Sequence, residues 1–157
     1  PGAEMEPNLE PALVGVAGEY LVAAELSLRG YLAAITLRNS RGIDIIASNS
    51  DGSKSVSIQV KTSKGGSASW ILTKKSEEFH SANHFYVFVA LCKQGGRPSY
   101  HIVQSTEVAR QISEGHRKWK ASLKRDGSPR KDSNMRKFQD LAGCHKERWD
   151  RLGLASG

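Results

Sequence analysis

Apolar positions along the first forty per cent of the chain change period twice. From Ala12 to Arg29, Leu13, Ala17, Tyr20, Leu21, Ala24 and Leu28 recur at helical spacing and predict an amphipathic helix with that face inward. Gly30 follows as its stop signal. Gly15 and Gly18 lie inside the helix, each at a cost of about 1 kcal/mol relative to alanine, and close approach of another backbone is the reason such a pair suggests. Tyr31–Leu37 then reads as a short edge strand. Ser40–Lys64 reads as a turn and two further strands joined at Asp51-Gly52, a tight hairpin signal. Either a two- or a four-residue loop there sets Asp44 opposite Gln59, on one face with Lys61. Ile43, Ile45, Ile58 and Val60 fall on the other face. Opposed residues of such a pair have Cβ atoms about 4.5–5.5 Å apart.

Further on, Ser63–Ser69 is a Gly/Ser loop that lacks P-loop spacing and reads as a mobile substrate-side loop or a plain linker. Trp70–Leu72 is a short extended piece and Lys74–Ser81 a turn of helix. His84–Cys92, HFYVFVALC, is almost wholly apolar and predicts a central strand buried on both faces. Ser99–Gln104 predicts its hairpin partner. Ser105 opens a helix with Val108, Ala109 and Ile112 inward. Beyond Gly115, HRKWKASLKR and Met135–Leu154 read as basic segments that dock through Trp119, Phe138 and Trp149, with helices as the expected form. Stacking of Trp119 and Trp149 on exposed bases is the alternative role. The expected organisation is residues 1–11 as a disordered or vector-derived terminus, 12–115 as a core domain, and 116–157 as a basic helical extension packed on it.

Charge sharpens this division. Lys and Arg balance Asp and Glu at 10 against 10 through Ala109, whereas Arg110–Gly157 carries 13 against 6, the whole of the +7 surplus. A polyanionic partner, most commonly nucleic acid, suits that asymmetry; a solvated basic tail is the bland alternative. The two cysteines, Cys92 and Cys144, argue for a reducing compartment, with the cytoplasm as default. No membrane partner is expected, since no apolar run reaches the roughly 20 residues a bilayer requires. Apart from His80 and His84, four residues apart, the five histidines are scattered, and no Cys-x-x-Cys occurs, so a zinc site is rejected. His101 reads as structural or as a substrate contact.

The polar face of the hairpin suggests chemistry. A carboxylate, an amide oxygen and a main-chain carbonyl suit a hard divalent cation that keeps several waters. Asp44, Gln59 and the Val60 carbonyl are the candidate ligands for Mg²⁺ or Mn²⁺. Lys61 can hold a water beside the metal, and Glu19 can add a second carboxylate. Such a site hydrolyses phosphodiesters. Candidate phosphate contacts are Lys64, Arg117, Lys118, Lys120, Lys124, Arg125, Arg130 and Lys131.

Glu19 in a first helix, Gly42-Ile-Asp44 after a turn, and Ile58-Gln-Val-Lys-Thr-Ser63 resemble the PD-(D/E)XK nuclease superfamily, which includes restriction endonucleases and archaeal Holliday-junction resolvases. The likeness is greatest to small prokaryotic members whose strand reads IQVKTS and covers about Gly15–Gln104. It implies an α/β, restriction-endonuclease-like αβββαβ core with a mixed central sheet flanked by helices. It also implies Asp44 as central metal ligand, Gln59 in place of the usual acid, Lys61 as the water-orienting lysine and Glu19 as the helix carboxylate. Ile43 stands where proline is usual, and Gln59 removes one negative charge, which weakens metal affinity. The expected function is Mg²⁺-dependent hydrolysis of DNA, with a homodimer possible. The alternatives are a catalytically inactive nucleic-acid-binding module of the same fold and a protein-interaction domain.

Overall fold

The computed structural model describes residues 9–37, 42–92 and 96–155. Helix α1 spans Pro11–Leu28 and is followed by strands β1 (Leu32–Ile35), β2 (Ile45–Ser48), β3 (Ser55–Ser63) and β4 (Ser69–Thr73). A single helical turn, α2 (Lys75–Glu78), leads to β5 (His84–Ala90) and β6 (Ser99–Gln104). Helix α3 (Ser105–Ala121), β7 (Met135–Gln139) and a 3₁₀ turn at Trp149–Leu152 complete the chain. Five strands form one sheet in the order β1-β2-β3-β5-β6, and β4 pairs with β7 in a separate ribbon. β3 and β5 run parallel and every other pair in the large sheet is antiparallel. A parallel pair needs a crossover connection, and here the crossover carries β4 and α2.

The sheet separates two apolar layers. Val22 and Leu26 of α1 pack on Ile45, Ile58, Val60 and Val87, joined by Trp149 and Leu152 from the end of the chain. On the other side, Tyr86 and Phe88 meet Val108 and Ile112 of α3 and Trp70, Leu72 and Phe138 of the ribbon. Phe88 stacks on Phe138 with centroids 4.3 Å apart. Both faces of β5 are therefore covered, as its apolar sequence predicts, and all seven of its residues are buried.

Helix α1 turns a different face inward from the one its periodicity predicts. Val14, Gly18, Val22 and Leu26 are buried, whereas Leu13, Tyr20 and Leu28 are 56%, 64% and 82% exposed. The helix is apolar nearly all round, so spacing alone does not choose a face. Gly18 chooses it: a Cβ built there would lie 1.8 Å from Thr62 Oγ1 on β3, so only glycine allows the approach. Gly15 has open space around it and takes no part in this contact. Among the described residues α1 alone is long and apolar enough to cross a bilayer, yet its buried stripe lies on the sheet as in a core helix. Gly30, at φ +80°, ends the helix as expected.

The C-terminal part differs from the expected helical extension. α3 continues unbroken through Gly115 and His116, across the expected domain boundary. Met135–Gln139 forms a strand rather than a helix, because its residues alternate exposed and buried with period two. The inward positions are Arg136 and Phe138, and the arginine, ion-paired to Glu77, disguises the pattern. Residues 145–147 then lie along β6: Ile102 N–H donates to the His145 carbonyl at 3.0 Å and Glu147 N–H to Tyr100 at 2.8 Å. This covers an otherwise open sheet edge. Phe138 and Trp149 are buried, as the docking reading requires, whereas Trp119 remains 39% exposed.

The Gly18–Thr62 contact gives a paired prediction. Gly18→Ala overpacks the α1–β3 contact and costs about 1–3 kcal/mol. Gly15→Ala gains up to about 1 kcal/mol from helix propensity. Thermal unfolding of both variants checks this, a lowered midpoint for the first and an unchanged or raised one for the second.

Candidate active site

The β2–β3 hairpin has the expected register. Ile45 pairs with Ile58 and Ser48 with Ser55, and Asn49 N–H donates to the Lys54 carbonyl at 3.1 Å, so Ser50–Ser53 form the four-residue loop that keeps this register. The ladder ends one pair before Asp44 and Gln59. Asp44 N–H still donates to the Ile58 carbonyl at 2.8 Å, so Asp44 and Ile45 both face one residue of β3. β3 runs on to Ser63 without β2 beside it. The Asp44 carboxylate fills the gap and accepts the Val60 N–H at 2.7 Å through Oδ2. Because the N–H and C=O of one strand residue project to the same side, the Val60 carbonyl also points into this gap.

Gln59 and Lys61 project from β3 towards the β4–α2 side and line one open cavity of about 480 Å³ with Tyr86, Phe79 and Ser76. The parallel register sets Gln59 beside Tyr86 and Lys61 beside Phe88. Gly42, at φ +66°, forms the turn that leads into Asp44. A Cβ there would lie 3.4 Å from Gln59 Oε1 and 3.5 Å from the Phe79 ring. The amide oxygen therefore faces the turn carrying the carboxylate.

Burial raises the Asp44 pKa; the Val60 N–H and the Lys61 ammonium oppose this without reversing it. Burial also raises the Tyr86 phenol, the Ser76 hydroxyl opposes this, and the Asp44 charge adds to it. The site thus holds a carboxylate whose ionised form lacks sufficient compensation, which an adjacent cation would supply. Among the described residues no three His, Cys, Asp or Glu side chains group as a metal cluster. The donors present still fit a hard cation that takes one carboxylate and keeps several waters. Asp44, Gln59 Oε1 and the Val60 carbonyl would hold it.

Glu19 follows Gly18 on α1 and is half-buried, at the level of Thr62, one residue past Lys61. α1 lies across the sheet from the cavity, so Glu19 approaches from the opposite layer. Lys64 Nζ donates to the Leu9 carbonyl and ties the loop after β3 to the start of α1. Gly66 N–H donates to Leu91 at 2.7 Å, a further tether on that loop. Arg117, Lys118 and Lys120 lie exposed on the last turns of α3, and Lys124, Arg125, Arg130 and Lys131 follow in the next loop. Arg130 lies 5.2 Å above the Trp119 ring and donates to Ser122 at 3.0 Å. Lys120 and His116 both bind Asp132, whose pKa is held down at about 2 chiefly by the His116 hydrogen bond. His101 is structural: it is buried against Trp70 and bonds Asp140 at 2.6 Å. Both cysteines are free and exposed.

Phe79, Ser76 and Tyr86 escaped the sequence reading. Tyr86 sits in a run that reads as uniform core, and its place beside Gln59 depends on a parallel register that sequence does not encode locally.

No family model and no curated protein matches the chain. Among solved structures it is similar to Archaeoglobus fulgidus Hjc, a Holliday junction resolvase from an archaeal hyperthermophile. The TM-score is 0.52 at 14% identity, covering 91% of this chain and 98% of that one. This likeness is one of fold: the chain has a restriction-endonuclease-like fold, a mixed sheet flanked by helices.

The raised Asp44 pKa has a checkable sign. Folding disfavours the ionised form, so the penalty is full above the folded pKa and vanishes below the unfolded value of 3.8. Asp44→Asn, which keeps an acceptor for Val60 N–H, raises the unfolding midpoint at neutral pH. The gain shrinks as pH falls through the folded pKa towards 3.8, and unfolding midpoints measured across that range check it.

Proposed function

We propose that the chain is a nuclease that hydrolyses phosphodiester bonds in DNA with Mg²⁺ or Mn²⁺ bound at Asp44. The observation that carries this reading is the buried Asp44 carboxylate in the gap beside Val60, with Lys61 near enough to act on its charge. The restriction-endonuclease-like fold and its resolvase neighbour support it. The basic surplus after Ala109 supports a polyanionic substrate.

In this reading Asp44 and Gln59 bind the cation with the Val60 carbonyl. When bound, the cation lowers the pKa of a water and neutralises charge on the phosphodiester. The Lys61 ammonium holds and orients that water from the cavity side. Glu19 orders the site from the α1 side. The basic residues of α3 and the following loop, Arg117 to Lys131, hold phosphates and position the strand. Catalysis in this reading rests on charge placement, with the oriented water as the nucleophile.

A second reading, a nucleic-acid-binding module without catalysis, is favoured by Gln59 and by the missing third acid among the described residues. One set of measurements separates the two. The nuclease reading expects Mg²⁺- or Mn²⁺-dependent cleavage of DNA that Asp44→Ala abolishes and Lys61→Ala slows about 10²–10⁴-fold. Cleavage surviving Asp44→Ala contradicts it. Intact DNA binding with no metal heat in calorimetry and no cleavage of duplex, nicked, branched or single-stranded substrates supports the module instead.

A further inference from the structure

The cavity beside Lys61 is built for more than a phosphodiester. A phosphate needs cations and donors, which Lys61 and Lys75 provide on its lining. The same cavity also has an apolar wall of Ile71, Leu72 and Phe79, which no phosphate requires. Phe79 is 43% exposed, with its ring held edge-on by His84 at 4.8 Å between centroids. Beside it lies Tyr86, wholly buried, whose hydroxyl forms no hydrogen bond of normal geometry. The Ser76 hydroxyl acts on it, and a phenol can both donate and accept, so it keeps capacity to meet a polar group of a ligand. An apolar wall, one exposed aromatic ring, a hydroxyl with donor and acceptor capacity and flanking cations together describe a flat heterocycle bearing a phosphate.

We infer that this cavity seats one unpaired nucleotide of the substrate strand, its base against Phe79 and a polar edge on the Tyr86 hydroxyl, its phosphate towards Lys61. This rests on the nucleic-acid reading above and adds the substrate class. A base stacked within a duplex has both faces covered and cannot offer one to Phe79. Unpaired or extruded nucleotides can, and base–aromatic stacking discriminates them. The strand to be cut is thus single-stranded, or has an unstacked nucleotide at the cleavage position. Phe79 and Tyr86 determine specificity, and neither takes part in the hydrolytic step.

Binding in EDTA tests this without catalysis. The probes are a fluorescently labelled oligodeoxyadenylate single strand, the same strand in a fully paired duplex, and that duplex with one bulged 2-aminopurine. The single strand and the bulged duplex bind about 5–150-fold more tightly than the paired duplex, the span that stacking on one aromatic supplies. Phe79→Ala, at a half-exposed site, removes the preference and leaves paired-duplex affinity unchanged. Tyr86→Phe, which keeps the ring, reduces the change in 2-aminopurine fluorescence without lowering the unfolding midpoint. Equal affinity for all three probes, or a preference that survives Phe79→Ala, overturns the inference. Asp44-dependent cleavage without any such preference overturns only the nucleotide seat. The preference without cleavage upholds the seat and overturns the nuclease reading.

Discussion

A single backbone N–H organises the candidate site. β2 stops at Ile45 while β3 continues to Ser63, which leaves Val60 without a strand neighbour on that side. A buried, unpaired N–H is costly, and the Asp44 carboxylate satisfies it. The hydrogen bond fixes the carboxylate in the gap, at the expense of taking a charge partly out of water. The fold thus creates a negative site whose natural complement is a cation, and Lys61 supplies only part of that compensation. The same hydrogen bond satisfies the backbone and places the charge on which the proposed cation site rests.

The layers around the gap hold it in place. The approach of α1 at Gly18 presses that helix against Thr62, immediately beyond Lys61. On the other face the β4–β7 ribbon and α2 wall in the cavity where Gln59 and Lys61 emerge. The C-terminal segment, by pairing β7 with β4, supports that wall, and the His101–Asp140 bond anchors the chain just past β7. Burial alone would raise the Asp140 pKa, but the His101 bond and the His145 N–H outweigh it and hold it low. The basic tail is therefore part of the architecture around the candidate site as well as a source of positive charge.

Much of this was legible in the sequence because it rests on local rules. Period-two patterning and the Asp51-Gly52 turn gave the β2–β3 register, and the uninterrupted apolar run gave β5 its central place. What escaped depends on tertiary partners. The buried face of α1 was set by one glycine, since Leu13 and Val14 are equally apolar. β7 was hidden because its inward arginine is neutralised by Glu77, a residue 59 positions away. Tyr86 joined the cavity only through parallel pairing with β3. The direct opposition of Asp44 and Gln59 failed for a similar reason: two residues, Asp44 and Ile45, face Ile58, and the carboxylate turns towards Val60 instead.

The central claim is that the gap beside Val60 gathers a divalent cation around Asp44. Paramagnetic broadening of backbone amide signals by substoichiometric Mn²⁺ tests it most directly. The account predicts selective loss of the Asp44, Val60 and Lys61 signals in the wild-type chain and their retention in Asp44→Asn. Broadening centred instead on the exposed acids Asp126, Asp132 or Asp150, or broadening at Val60 that persists in Asp44→Asn, would contradict it.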